Sequence, residues 1–174
     1  MTDQNDVQKF TLVLSSGHDS RPREVNSRKD GKTKFSFSNF SESFDEHIDK
    51  SIRGYSDLRN DVVSISQYFV EDKTTIIDLG CSQGSLIAKI KGVNEHAPDS
   101  SYLGVEINES FCKHWKPQKN LDYLVEDITT MNMPPNLSLA MSLFTMQFIP
   151  ERKRVELIDK IFYNLNCGGA FIFS

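Results

Sequence analysis

The fold of this chain is decided by one stretch near its middle: Ile76-Ile77-Asp78-Leu79-Gly80-Cys81-Ser82-Gln83-Gly84-Ser85-Leu86. It begins with apolar residues typical of a buried strand, turns between two glycines, and ends in a pattern typical of a helix. Glycines permit a tight turn and a close approach of ligand to backbone, and the first N–H groups of a helix favour an anionic or zwitterionic group. The stretch therefore predicts a strand, a ligand-binding loop and a helix. We expect Asp78 to bond the backbone of the turn that follows it.

Short apolar runs alternate with helical patterns from residue 71 to the end of the chain. The expected strands are Thr75–Leu79, Tyr102–Val105, Tyr123–Val125, Leu139–Phe144 and Ala170–Phe173, and the expected helices are Ser85–Lys91, Asn108–Lys116 and Glu151–Leu165. Such alternation is typical of an α/β fold with a mostly parallel sheet and helices on both faces. Gly168 and Gly169 are expected to end the last helix. The sheet is expected to stop after its fifth strand, so either the natural protein continues or another segment covers that edge.

Two carboxylates follow the second and third of these strands. Glu106 comes directly after Tyr102–Val105, and Asp127 follows Tyr123–Val125. A carboxylate at the position of Glu106 can accept hydrogen bonds from both hydroxyls of a ribose. A carboxylate at the position of Asp127 can accept a hydrogen bond from an adenine amine. Because the carboxyl ends of neighbouring parallel strands meet at one edge, the sequence predicts a crevice shaped for an adenosine.

A dinucleotide is the first competing ligand, because its Gly-x-Gly-x-x-Gly fingerprint also places an acid roughly 20 residues after a glycine turn. Counted from Gly80, Ser82 and Ser85 stand where that fingerprint has its second and third glycines. A pyrophosphate would lack its close approach to the backbone. The sequence therefore favours a nucleoside-type ligand.

The first 70 residues lack the alternation of strands and helices that is predicted for the rest of the chain. Residues 1–43 hold scattered apolar positions among polar ones and predict a flexible arm with one short strand at Phe10–Leu14. Apolar residues then recur at the helical period as far as Phe69, interrupted by Gly54, so we expect two helices with Ser56 capping the second. The chain thus divides into an arm, 1–43, and a domain, 44–174, with N-terminal helices at 44–70 and a sheet core at 71–174.

Composition excludes several classes of function. The 174 residues hold 20 Lys and Arg against 24 Asp and Glu, a net charge of -4, so charge does not indicate direct binding to nucleic acid. No apolar run approaches the roughly 18–20 residues that cross a bilayer, and the N-terminus lacks the pattern of a secretory signal, so we expect a cytoplasmic protein without membrane contact. Cys81, Cys112 and Cys167 have no partner at metal-ligand spacing, and no metal site is expected.

The pattern Asp-Leu-Gly-Cys-Ser-x-Gly at residues 78–84 resembles the first motif of the class I S-adenosylmethionine-dependent methyltransferases, and Val125-Glu126-Asp127-Ile128 resembles their adenine-contacting motif. A narrower resemblance, from about Phe44 to the end, is to the bacterial carboxy-S-adenosylmethionine synthases. Its segments are Arg53-Gly54-Tyr55-Ser56, residues 78–84, Glu126-Asp127-Ile128, Phe144-Thr145-Met146-Gln147-Phe148 and the stretch from Leu157 to Ala170. The Gly-Tyr-Ser and Phe-Thr-x-Gln-Phe segments are the most specific of these.

The resemblance implies a Rossmann-like class I methyltransferase fold with S-adenosyl-L-methionine as cofactor. That family converts the cofactor, with prephenate, into a carboxymethyl donor for wobble-uridine modification in tRNA. The resemblance implies these contacts with the cofactor: Tyr55 lies against it, Gly80, Cys81 and Ser82 surround its methionine end with Gly84 completing the loop, Glu106 holds the ribose, and Asp127 and Ile128 meet the adenine.

The chain departs from the family pattern at three places. The family has Pro at Arg53, Asp-Asn at Glu106–Ile107 and Asn at Leu143. Its Arg–Tyr segment that contacts the transferred carboxylate lies beyond the fifth strand and is absent here. Arg53, beside Tyr55, is then the candidate that the sequence offers for binding a substrate carboxylate.

Two alternatives stay open. The leading expectation is an S-adenosylmethionine-dependent transferase that resembles the carboxy-S-adenosylmethionine synthases. The alternatives are a conventional S-adenosylmethionine-dependent methyltransferase of unknown acceptor and a binding module that keeps the fold without turnover and acts through a partner. No catalytic residue is identified, because none of the histidines has an acid or nucleophile at a telling distance. A small-molecule substrate is expected, and a homo-oligomer is left open. Phe144, Met146 and Phe148 are expected to pack around the fourth strand of the core, with Thr145 and Gln147 closing the site.

Overall fold

A parallel six-stranded sheet forms the centre of the molecule. The computed structural model describes residues 10–13 and 44–174. The strands are β1 (Phe10–Val13), β2 (Thr75–Leu79), β3 (Ser101–Glu106), β4 (Leu121–Val125), β5 (Leu137–Ser142) and β6 (Leu165–Phe173). They lie in the order β1-β6-β5-β2-β3-β4, and each neighbouring pair is parallel. The chain builds outward from β2 in one direction through β4 and then returns to the other side of β2, so the sheet has a switch point between β2 and β5.

The two faces of the sheet are covered by different helices. The helices are α1 (Phe44–Ser51), α2 (Tyr55–Ser66), α3 (Ser85–Val93) and α4 (Glu151–Asn164), and two 3-10 turns lie at Glu109–His114 and Met146–Phe148. Side chains alternate along β2, so Ile76 packs in a core with Val62 of α2 and Ile87 of α3, whereas Ile77 packs in a core with Leu157 of α4. The α/β prediction with helices on both faces is confirmed. None of the helices among the described residues combines the length and apolar character needed to span a membrane.

The break between the first two helices is where the sequence predicts it. Gly54 lies between α1 and α2 with φ 78° and is the residue before the first turn of α2. The predicted cap by Ser56 is wrong, because its hydroxyl donates to the carboxylate of Asp49 in α1 instead. Apart from its chain neighbours, no described residue lies within 4 Å of a Cβ placed on Gly54, so within this part of the chain Gly54 is required for its left-handed backbone and not for close packing.

The start of the last strand differs from the prediction. We expected the helix to run to Leu165, Gly168 and Gly169 to stop it and a strand to begin at Ala170; α4 ends one residue earlier, at Asn164, but β6 already begins at Leu165. The Asn164 amide donates to the Lys160 carbonyl in the last turn. The register with β5 shifts between Leu137 and Leu139, so the two glycines lie inside β6 where the ladder is irregular.

The outer edge of β6 is paired. Residues Phe10–Val13 form β1, which runs parallel to Ala170–Phe173 and covers this edge, the second of the two possibilities that the sequence left open. The short strand predicted at Phe10–Leu14 is therefore confirmed over four residues. The remainder of the arm 1–43 lies outside the described residues, and its flexibility stays a prediction.

Candidate active site

The loop between β2 and α3 has three residues in the left-handed region of backbone space. Gly80 has φ 88°, Ser82 φ 48° and Gly84 φ 75°. The amide of Gly84 donates to the Cys81 carbonyl at 2.8 Å, which closes the turn directly before α3. Residues other than glycine rarely adopt this backbone conformation. Ser82 is therefore strained, and surrounding contacts must offset the cost.

The glycines are also required by close packing. A Cβ at Gly80 would lie 2.1 Å from Oγ1 of Thr145, and one at Gly84 would lie 2.3 Å from the ring of Tyr123. Both distances are far below van der Waals contact. The loop is therefore pressed between the segment after β5 and the side chain of Tyr123, which fixes its position at the switch point of the sheet.

Glu106 lies at the end of β3, as predicted, and binds the glycine loop. Its Oε2 accepts from the Ser82 amide at 3.1 Å, and its Oε1 accepts from the Asn108 amide at 3.0 Å. A carboxylate offers about four acceptor positions, so half of them are left for a ligand. Glu106 is 8% exposed and lines a cavity beside the glycine loop. Glu106 thus joins the loop to the place where the ribose hydroxyls are expected.

Asp78 is buried below the loop, and the expectation that it bonds the following turn is wrong. Among the described residues its carboxylate accepts no hydrogen bond, and its side chain lines the cavity instead. Burial raises the pKa of Asp78 to about 7; the nearby Arg59 guanidinium lowers it, and the Glu106 carboxylate raises it. An ionised Asp78 is therefore costly in the free protein and favourable for a cationic ligand.

The pKa of Asp127 is shifted downward, in the direction opposite to that of Asp78. Its Oδ1 accepts from the Thr129 amide at 2.8 Å, and this hydrogen bond is the main reason that the pKa of Asp127 lies below its ordinary value. Lys153 and Lys160 hold Thr129 from α4 through its hydroxyl and its carbonyl. Asp127 is consequently a fixed anion at the rim of the cavity, two residues beyond β4.

The opposite wall of the cavity is built by α1, α2 and the segment after β5. Tyr55 packs against Phe144 with ring centroids 5.5 Å apart, and the Arg59 guanidinium lies 5.3 Å from the centre of the Tyr55 ring. Arg59 also donates to the Ser85 hydroxyl at the start of α3. Phe144 has φ 55°, which is rare for a bulky residue, and its amide donates to the Ser174 hydroxyl at 3.1 Å.

These walls enclose a cavity of about 570 Å³, within the range of small-molecule sites. It is lined by most of the residues that the resemblance implies, namely Tyr55, Gly80, Cys81, Ser82, Glu106, Asp127 and Ile128. Two of the predicted residues lie outside the lining. Gly84 contacts Tyr123 on another side of the loop, and the side chain of Arg53 is exposed to solvent.

Sequence reasoning missed several residues of the site. Arg59 lies four residues after Tyr55 on the same helix, a spacing that would have placed both on one face. Ile48 and Ile52 belong to the apolar stripe that predicted the helices, yet they line the cavity. Phe144 and Phe148, which we expected to pack around the fourth strand, line the cavity, whereas Met146 is buried in the core as expected. Thr145 and Gln147 line the cavity that they were expected to close.

Cys81 does not serve as a nucleophile in this geometry. The side chain is 6% exposed, and burial strongly raises the pKa of its thiol. A thiol held in its protonated form is a poor nucleophile and a poor metal ligand. Within residues 10–13 and 44–174, three or more potential metal ligands nowhere cluster at binding distance. The groups that face the cavity are suited to binding and orientation.

Comparison with known proteins identifies similar sequences. No family profile matches the chain. The carboxy-S-adenosyl-L-methionine synthase of Enterobacter sp. strain 638 is 32% identical over 76% of this chain and 56% of its own length. That of Actinobacillus succinogenes is 28% identical over 78% of this chain and 58% of its own length. The chain thus spans somewhat more than half the length of these relatives, and its resemblance to them is confirmed over that part.

Solved structures show the same fold at much lower sequence identity. The amino pentose methyltransferase CalS10 of Micromonospora echinaspora, solved with S-adenosylmethionine bound, superposes with a TM-score of 0.58 at 13% identity, over 82% of this chain and 57% of that one. Human N-acetylserotonin methyltransferase, also solved with the bound cofactor, gives a TM-score of 0.55 at 16% identity, over 78% of this chain and 36% of that one. The chain has the Rossmann-like class I methyltransferase fold.

Proposed function

We propose that this chain binds S-adenosyl-L-methionine in the cavity at the switch point and acts as a transferase on it. The observation that carries the proposal is the convergence of three carboxylates, Asp78, Glu106 and Asp127, from the ends of three adjacent strands onto one cavity. A ligand with a sulfonium, an ammonium, a ribose diol and an adenine amine is complementary to this set. The similarity to carboxy-S-adenosyl-L-methionine synthases supports the same ligand.

Each part of the ligand has a group that fits it. Glu106 keeps acceptor positions free for a ribose diol, and Asp127 with the buried Ile128 offers a carboxylate and an apolar surface for the adenine. Asp78 lines the cavity below the loop, where an ammonium would favour its ionised form. Gly80, Cys81 and Ser82 would surround the amino-acid end.

In a conventional methyl transfer, the bound sulfonium supplies an electrophilic carbon, so the protein needs to align a reactant and exclude water more than to transfer a proton. Tyr55, Phe144, Ile48 and Ile52 provide an apolar wall on the reactant side.

We further propose that the reaction is the synthesis of carboxy-S-adenosyl-L-methionine from S-adenosyl-L-methionine and prephenate, in a cytoplasmic pathway of tRNA wobble-uridine modification. Prephenate loses its ring carboxyl group as carbon dioxide and its hydroxyl group as hydroxide, and becomes phenylpyruvate. The hydroxide takes a proton from the sulfonium methyl group and leaves as water, and the methyl carbon forms the new carbon–carbon bond to carbon dioxide. The resemblance in the Gly-Tyr-Ser and Phe-Thr-x-Gln-Phe segments supports this, since both line the cavity through Tyr55, Phe144 and Thr145. A carboxylate needs a cation on the reactant side. Arg59 lines that wall, so we assign it the role that the sequence suggested for Arg53.

Replacing Arg59 by Met is expected to raise the KM for the carboxylic acid about 10- to 100-fold, because a charge-assisted hydrogen bond contributes roughly 1.5–3 kcal/mol. The affinity for S-adenosylhomocysteine is expected to change less than about threefold. The matched control is Arg53→Met, which removes an exposed guanidinium and should leave both values unchanged. An equal loss of S-adenosylhomocysteine binding in Arg59→Met would instead place Arg59 at the carboxylate of the cofactor.

The function is tested by mass spectrometry of the purified protein and of its reaction with S-adenosylmethionine and prephenate. We expect a bound adenosyl ligand and a carboxylated product. S-adenosylhomocysteine with a modified acceptor would favour a conventional methyltransferase, and binding without any product would favour a binding module. Absence of binding to S-adenosylmethionine and S-adenosylhomocysteine by calorimetry, together with clear binding of a nicotinamide dinucleotide, would overturn the proposal.

A further inference from the structure

Two aromatic side chains that do not line the cavity hold the glycine loop from outside it. The indole Nε1–H of Trp115 donates to the Ser82 carbonyl at 2.8 Å, and the Tyr123 hydroxyl donates to the Gly84 carbonyl at 3.2 Å. The two rings stack on each other with centroids 5.3 Å apart and planes 14° apart. The loop is thus bonded by one rigid aromatic pair at two of its carbonyls.

Two glycines leave the space that the Tyr123 ring of this pair occupies. A Cβ at Gly84 would lie 2.3 Å from the Tyr123 ring, and one at Gly104 in β3 would lie 2.6 Å from it. The ring therefore fits between the loop and the neighbouring strand only because both side chains are absent. Burial raises the pKa of Tyr123 to about 12, so its hydroxyl stays a donor at neutral pH.

The Trp115 bond acts at the most strained point of the loop. Ser82 has φ 48°, and a non-glycine residue in this region costs roughly 1–2 kcal/mol. The Ser82 amide is bonded to Glu106 and its carbonyl to Trp115, so the backbone on both sides of the strained residue is fixed. Without the indole bond, the carbonyl would be free to rotate and the loop to relax.

We propose that Trp115 and Tyr123 are positioning residues that preorganise the glycine loop for the amino-acid end of an adenosyl ligand. This inference rests on the proposed function, because it assigns the loop to that end of the ligand. A preformed loop binds without the cost of ordering at the moment of association. The pair acts on ligand affinity through the Ser82 and Gly84 carbonyls and touches no ligand itself.

The test compares two ligands in variants that each remove one hydrogen bond. Tyr123→Phe and Trp115→Phe are expected to weaken binding of S-adenosylhomocysteine about 5- to 10-fold in calorimetry, since one hydrogen bond contributes about 1 kcal/mol. Binding of 5′-methylthioadenosine, which lacks the amino-acid end, is expected to change less than about twofold. A merely structural role would weaken both ligands equally.

The matched control is Tyr102→Phe. Tyr102 is a buried tyrosine on the adjacent strand β3, and its hydroxyl has no hydrogen-bond partner among the residues that the structure describes. Its loss is expected to leave both affinities unchanged. Because Trp115 is the only tryptophan of the sequence, its emission also reports on the loop. Addition of S-adenosylhomocysteine should change this emission in the wild type and change it less in Tyr123→Phe.

Two results would overturn the inference alone: unchanged affinity for S-adenosylhomocysteine in both variants, or equal losses for the two ligands. Either result is compatible with normal binding by the wild type and leaves the proposed function standing. Wild-type protein that binds neither ligand would refute the proposed function and the positioning role with it. Urea unfolding of the variants shows whether they remain folded.

Discussion

Replacing Asp78 by Asn is expected to stabilise the free protein while removing most of its affinity for S-adenosylhomocysteine. The pKa of Asp78 is about 7 in the folded protein, against 3.8 for an ordinary aspartate. The folded state therefore holds the proton more tightly than the unfolded chain. The contribution of this group to stability is fully present below pH 3.8, falls as the pH rises, and is lost above about pH 7.

At pH 8 the variant is expected to be more stable than the wild type by about 2–4 kcal/mol, since one pKa unit corresponds to 1.36 kcal/mol. The measurement is the difference between the urea-unfolding free energies of the two proteins from pH 5 to pH 8. This difference should grow with pH up to about 7 and then level off. A flat difference would show that Asp78 is ionised without cost.

As the pH rises, the wild type loses stability from Asp78 but is expected to gain affinity for the ligand. An ammonium in the cavity favours ionised Asp78, so the wild type should bind S-adenosylhomocysteine about tenfold more weakly at pH 6 than at pH 8. Asp78→Asn is expected to lose about 10- to 100-fold in affinity at pH 8 and to lose this pH dependence. Gains in stability at the expense of binding are typical of charged groups held in functional sites.

Asp127→Asn is the matched control for the stability effect. The pKa of Asp127 is lowered by its hydrogen bonds with Thr129, so its contribution is present above the ordinary pKa and is lost as the pH falls. Its replacement by Asn should therefore give no stabilisation at pH 8. Equal stabilisation by both variants would point to a general effect of net charge and contradict the assignment to Asp78.

Replacing Gly80 by Ala is expected to reduce the affinity for S-adenosylhomocysteine by more than about 100-fold. Two costs add at this position. The left-handed backbone at φ 88° costs an alanine roughly 1–2 kcal/mol, and its Cβ would lie 2.1 Å from Oγ1 and 2.9 Å from Cβ of Thr145. Rotating the threonine side chain cannot relieve the second contact, so the loop and the segment after β5 must separate.

The double variant Gly80→Ala, Thr145→Gly separates these costs. It removes the clash and keeps the backbone strain, so we expect it to regain about tenfold or more of the lost affinity in calorimetry. Gly54→Ala is the control. Gly54 has φ 78°, and no described residue lies close to its Cβ position, so an alanine there would have the backbone strain without the clash. If Gly80→Ala bound as well as the wild type, the packing of the loop against Thr145 would be refuted.

The local parts of the site could be predicted from the sequence. The loop at Gly80–Gly84 follows from an apolar strand, two glycines and a helix that are adjacent in the chain. Glu106 and Asp127 follow from their places after two strands, because parallel strands bring their carboxyl ends to one edge. The fold class follows in the same way from the alternation of elements.

Contacts between distant segments could not be predicted. The sequence suggested Arg53 as the cation of the site because it adjoins Tyr55, but the turn of α2 brings Arg59 to the cavity and leaves Arg53 in solvent. The helix cap by Ser56 and the start of the last strand at Ala170 were wrong for a similar reason. A bond to Asp49 and pairing with β5 outweigh local preference at those positions.

The sequence by itself thus determined the parallel sheet, the glycine loop and the two acids beyond it, because periodicity and chain adjacency specify them. Only the tertiary structure decided what holds the loop and what faces the ligand. The Trp115 bond to Ser82 joins residues 33 apart, and the Arg59 bond to Ser85 joins residues 26 apart. Such pairs depend on how helices and strands pack, which is set by the volumes of many side chains together and leaves no periodic signal in the chain.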